Sequence, residues 1–72
     1  MHYLDVKNML CPIPVIRLSE MVNKLNTGDI IHMAATDKGV LQDIPAWCKV
    51  HGNKVVKIEE NKSDINIIVE IK

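Results

Sequence analysis

The strongest constraint on the fold lies near the end of the chain, where Ile65, Ile67, Val69 and Ile71 recur at every second position. A period of two places these side chains on one face of a strand, and a strand with one apolar face has to be covered by a second layer. Lys54 to Glu59 shows the same alternation, with Val56 and Ile58 set against Lys57 and Glu59. The polar Glu60-Asn61-Lys62-Ser63 between the two runs predicts a hairpin. At the other end, His2, Leu4 and Val6 alternate with Tyr3 and Asp5 as a short first strand. Ile30 to Thr36, IIHMAAT, is almost continuously apolar, which predicts an inner strand.

The spacing changes between these strands. Val15, Leu18, Val22 and Leu25 recur at three and four residues, the period of one helical face, with Ile16 and Met21 widening the stripe and Arg17, Glu20 and Lys24 on the rest. Asn26-Thr27-Gly28-Asp29 stops this helix, with Gly28 suited to a left-handed cap. A second helix begins at Val40 or Asp43 and runs to Val50, placing Leu41, Ile44, Trp47 and Cys48 toward the sheet and ending at Gly52. Pro45 leaves its start open: Asp43 caps a helix with Pro45 in its first turn, or a short preceding turn ends there. The order β-α-β-α-β-β, with long crossovers through each helix, predicts an α+β fold: a two-layer α/β sandwich on a mixed four-stranded sheet. A chain of 72 residues has room for one such domain, residues 1–72.

Composition narrows the function. Nine Lys and Arg balance nine Asp and Glu, so no net charge draws the chain to nucleic acid or anionic lipid, and no direct nucleic-acid or membrane partner is expected. The opening MHYLDVKN has neither the basic nor the apolar part of a signal peptide, so a cytoplasmic protein is the expectation. The two cysteines, Cys11 and Cys48, are too sparse for a disulfide framework and lack the spacing of a dithiol or zinc site. His2, His32 and His51 are scattered, so no metal is expected. Cys48, beside Trp47 on the sheet-facing side of its helix, reads as packing.

Cys11 is different because of MLCPIPVIRLSE, residues 9 to 20. With Cys11 as N-cap, Pro12, Ile13 and Pro14 occupy the first helical positions, whose N–H groups have no intrahelical partner, so the prolines sacrifice nothing. The helix terminus and the Ile13 N–H then favour a thiolate, and Arg17 is placed to help if it reaches back. Each unit of lowering from roughly 8.5 corresponds to about 1.4 kcal/mol in favour of the anion. The alternative, a buried small hydrophobe, remains open, although a capping position speaks against burial.

The chain resembles the TusA/SirA family of small sulfur carriers, whose members begin Leu-Asp-x-x-Gly-Leu-x-Cys-Pro-x-Pro. Leu4, Asp5, Cys11, Pro12 and Pro14 match, while Asn8 stands where Gly is usual and Met9 where Leu is usual. Gly28, Thr36-Asp37, Asp43-Ile44-Pro45, Trp47-Cys48 and Gly52 extend the likeness over nearly the whole chain. The resemblance implies a fold similar to the C-terminal domain of translation initiation factor three. It also implies a sulfurtransferase-like carrier whose Cys11 holds a persulfide and that needs no cofactor, since the sulfur is the carried group, and with the small size of the chain it implies a monomer. Pro12, Ile13, Pro14, Arg17, Asp37 and Asp43 would support that cysteine. The partners implied are a sulfur donor, such as a cysteine desulfurase, a rhodanese-like protein or another carrier, and a sulfur-acceptor protein. Ser19 and Glu20 replace a basic pair common in members serving tRNA thiolation, and Ile13 replaces a common acidic residue. A regulatory or RNA-binding module of the same fold, without sulfur transfer, is the competing reading.

Overall fold

A computed structural model describes residues 1–72 and places six elements along the chain. They are β1 (His2–Val6), α1 (Ile13–Val22), β2 (Ile30–Ala35), α2 (Val40–Val50), β3 (Lys54–Glu60) and β4 (Ile65–Glu70). This is the α+β order expected from the periodicities. The sheet order is β1-β2-β4-β3, with β1 parallel to β2 and both other pairs antiparallel. β2 is therefore interior, as its apolar run implies.

One face of the sheet carries the core. Val6, Ile31, Met33, Ala35, Ile65, Ile67 and Val69 point into it, joined by Leu18 from α1 and by Val40, Ile44 and Cys48 from α2. The α2 residues recur every four positions, so a single stripe of that helix is sealed. Pro14 is also buried, one turn before Leu18. The proline therefore packs as well as starting a helix. No helix is long and apolar enough to cross a membrane.

Several local expectations are corrected. Val56 does not face inward: a register shift between Val55 and Lys57 turns Val55 toward Val69 and leaves Val56 half exposed. Ile16 does not widen the buried stripe of α1 but lies 47% exposed. α2 starts at Val40 with Gly39 as its N-cap, so Asp43 belongs to the first turn and is not the cap. Pro45 then lies within the helix and forgoes the bond to the carbonyl four residues back. Gly28 takes the expected left-handed conformation, φ 95°, where its N–H donates to the Ile71 carbonyl at 2.7 Å and ties the α1–β2 turn to the chain end.

Candidate functional site

Two loops meet at the C-terminal ends of the parallel strands β1 and β2. The first, after Val6, reverses through Asn8, whose φ of 65° lies in the left-handed region that Asn tolerates better than most side chains. Asn thus meets the backbone demand at the position where the resembled family usually has Gly. Its N–H donates to Thr36 Oγ1 at 2.8 Å. Three residues later the Cys11 N–H donates to Asp37 Oδ2, also at 2.8 Å. The second loop therefore holds the first at two points, Thr36 and Asp37.

Asp37 also organises its own loop. Its Oδ1 accepts the Gly39 N–H at 3.3 Å and its carbonyl accepts the Val40 N–H at 3.2 Å, closing the turn that starts α2. The Cys11 N–H foremost, then the Gly39 N–H and the Cys11 thiol, hold the Asp37 carboxyl below its ordinary range. It is an anion at neutral pH. Cys11 Sγ packs against this turn so closely that a Cβ on Gly39 would stand 3.1 Å from the sulfur. Here glycine serves for room, since its φ of −57° suits any residue and a Cβ would oblige the sulfur to give by a few tenths of an ångström.

The expected source of thiolate stabilisation is absent. α1 begins at Ile13 with Pro12 as its N-cap, so Cys11 lies one residue before the cap, in a turn with a cis Cys11-Pro12 bond. Pro12 and Pro14 have no N–H to offer, and the Ile13 N–H is spent on the Leu10 carbonyl at 2.9 Å. The prolines that permit the helix to start there also remove donors that its N-terminus would otherwise offer. Arg17 does not reach back either: its Nη1 pairs with Glu20 Oε1 at 3.1 Å on the exposed side of α1.

What surrounds the sulfur instead is negative. Burial first, then the acceptor oxygens and negative charge of the Asp37 and Asp43 carboxylates, push Cys11 up from about 9.0 to about 12. The N-terminus of α2 offers the equivalent of roughly half a positive charge, less than two full negative charges beside it. Cys11 is a half-buried protonated thiol in the free protein, the reverse of the ionisation expected from the sequence. Cys48 is fully buried, as its position beside Trp47 implied, and no disulfide joins the two cysteines.

Of the residues singled out, Asp37 and Asp43 come to the Cys11 thiol, while Pro12 and the half-exposed Ile13 follow it in the chain. Pro14 faces the core and Arg17 faces solvent. Sequence reasoning missed Gly39 and Leu10, which lies 73% exposed next to the cysteine. The only signal for Gly39 was its place two residues after Asp37. No cluster of His, Cys, Asp and Glu has the arrangement of a metal site.

A two-layer β-α-β-α-β-β domain presenting a CPxP cysteine between its β1–α1 and β2–α2 loops defines a class of small thiol proteins. The family model described as sulfurtransferase TusA matches residues 2–71, and the chain belongs to that family. It is 37% identical over 62 residues to the putative sulfur carrier protein YrkI of Bacillus subtilis, covering 86% of this chain and 81% of that one. It is 28% identical to the sulfur carrier protein TusA of Allochromatium vinosum, covering 93% and 88% of the two chains. In fold it is similar to the crystal structure of a SirA-like protein from Desulfitobacterium hafniense, with a TM-score of 0.85, 21% identity and coverage of 97% and 96%.

Proposed function

We propose that this protein is a sulfur carrier that accepts sulfane sulfur as a persulfide on Cys11 and relays it to an acceptor protein. The observation that carries this reading is the position of Cys11. Its sulfur is half-buried but reachable, on a loop pinned by Thr36 and Asp37, in a chain of the TusA family. The names of the relatives from Bacillus subtilis and Allochromatium vinosum support the same class of activity.

In loading, an electron pair of the Cys11 sulfur forms a bond to the outer sulfur of a donor persulfide, R–S–SH. The donor's S–S bond breaks, and its inner sulfur leaves as a thiolate that takes up the proton given up by Cys11. The products are Cys11–S–SH and R–SH, with one S–S bond broken and one formed and no net oxidation. Delivery repeats the exchange, with an acceptor thiolate attacking the outer sulfur and Cys11 leaving. The chain supplies position and proton control, and the sulfur is the cargo. The donor would be a cysteine desulfurase, a rhodanese-like protein or another carrier.

Intact-protein mass spectrometry after incubation with a persulfide donor tests the reading. The wild type should gain one sulfur, about 32 mass units, on Cys11. Cys11→Ser should gain none, and Cys48→Ser should load as the wild type does. Equal loading of Cys11→Ser and wild type would remove Cys11 from the role.

A further inference from the structure

Three features of the Cys11 loop have no role in sulfur exchange as written. First, the Cys11 sulfur lies against the Asp37–Gly39 turn, where the Asp37 carboxylate accepts the Cys11 N–H at 2.8 Å and Asp43 follows Gly39 by one turn of α2, and both carboxylates oppose the ionisation the exchange requires. Second, neither carboxylate has a cationic partner. The chain's ion pairs are Arg17–Glu20, Lys38–Glu60, Lys57–Glu59 and Lys72–Glu70. Even Lys38, next in sequence to Asp37, leans toward Glu60 at 3.6 Å. Third, Leu10, Ile13 and Ile16 are 73%, 40% and 47% exposed and follow one another along the loop and the first turn of α1. The Ile13 N–H bond to the Leu10 carbonyl and the Ile16 N–H bond to the Pro12 carbonyl hold them as one ridge beside the cysteine.

These features are complementary to one kind of surface. Apolar contact along the ridge would exclude water from the loop, and in the drier space two unneutralised carboxylates would attract a basic side chain strongly. Neutralising them removes what keeps the proton on sulfur. We propose that Asp37 and Asp43 are positioning residues that lock Cys11 as a thiol. The sulfur-exchanging partner protein opens the lock by seating an apolar patch on Leu10, Ile13 and Ile16 and a lysine or arginine against the two carboxylates. The inference rests on the sulfur-carrier reading and adds to it the chemistry of the partner and the point at which the thiol becomes reactive. In the free protein the thiol is guarded from stray electrophiles. In the complex the Cys11 proton passes to the departing donor thiolate, so the exchange stays balanced.

Charged thiol reagents of one chemistry stand in for the partner. A methanethiosulfonate bearing a trimethylammonium group brings a cation to the loop, one bearing a sulfonate brings an anion, and iodoacetamide is neutral. Rates are read at Cys11 by peptide mass. At pH 7.5 the wild type should react with iodoacetamide at least about tenfold more slowly than a free cysteine. It should also favour the cationic over the anionic reagent by about tenfold or more beyond the ratio shown by free cysteine, an excess that shrinks as salt is raised.

Asp43→Asn leaves the backbone bonds of Asp37 intact. It should speed the iodoacetamide reaction by about tenfold and cut the charge preference, and Asp37→Asn should act in the same direction. A purely structural role would not reduce a charge preference. Unchanged iodoacetamide rates in a folded Asp43→Asn protein, or a wild-type charge ratio equal to that of free cysteine, would overturn the lock. Loading of the Asp43→Asn protein, in which the lock is released, is followed separately with sodium tetrasulfide over an extended incubation. If Cys11 gains no sulfur there, the carrier reading fails, whatever the charge ratios.

Discussion

Cys11 and Cys48 carry the same side chain, and the structure makes both harder to ionise than an ordinary thiol, by different means. At Cys48 burial alone raises the thiol to about 11, in a core stripe with Val40 and Ile44. At Cys11 burial is joined by two carboxylates. The difference decides what each thiol can do. Burial in a packed core is reversed only by unfolding, whereas a neighbouring charge is reversed by any molecule that brings the opposite charge. Cys48 is inert for as long as the domain is folded; Cys11 is inert only while its carboxylates are unpaired.

Substitutions sharpen this contrast. The largest effect on stability is expected from Ile44→Ala, one turn before Cys48. Removing that buried side chain should cost about 2–5 kcal/mol in urea unfolding, a large share of what a domain this small possesses. Cys48→Ser comes next: a hydroxyl in the apolar stripe lacks an evident partner and should cost about 1–3 kcal/mol. Cys11→Ser lies at the loop and should stay within about 1 kcal/mol of wild type while losing sulfur loading. If the two serine variants lost stability equally, the division between a packing cysteine and a working one would collapse.

A smaller effect is expected from pH. Because the folded Cys48 thiol titrates near 11 and an ordinary thiol near 9.0, the unfolded chain loses its proton first as pH rises. The stability contributed is fully present below about pH 9 and is lost progressively up to about pH 11. Alkaline unfolding of Cys48→Ala should accordingly be less steep than that of wild type. The smallest effect belongs to Arg17→Ala. Its ion pair with Glu20 is exposed, so stability should move by less than about 0.5 kcal/mol and Cys11 loading should not change.

The element order was legible because each segment announces its period: two in Ile65 to Ile71, and three or four in Val15 to Leu25. The burial of Cys48 followed from the same arithmetic. What the sequence could not convey were facts about donors and acceptors brought together from distant positions. CPIP reads as a helix start, which it is, and a helix start reads as a source of N–H groups. Only the fold reveals that Ile13 has given its N–H to Leu10 and that Asp37, 26 residues away from Cys11, accepts the N–H of the cysteine. A bulge has no period of its own, so Val56 was assigned to the wrong face. Gly39 was unreadable for a similar reason, because the need for room beside the sulfur exists only after the two loops meet.

The most direct test of the account is a titration of Cys11 itself in the free, folded protein, following the Cβ carbon resonance of isotope-labelled cysteine against pH. The account predicts a side chain that remains protonated through pH 9 and ionises far above an ordinary thiol, with Asp43→Asn bringing the transition down. A midpoint at or below about 8.5 in the wild type would contradict it, for the sulfur would then be a standing thiolate and the carboxylates beside it would hold nothing in check.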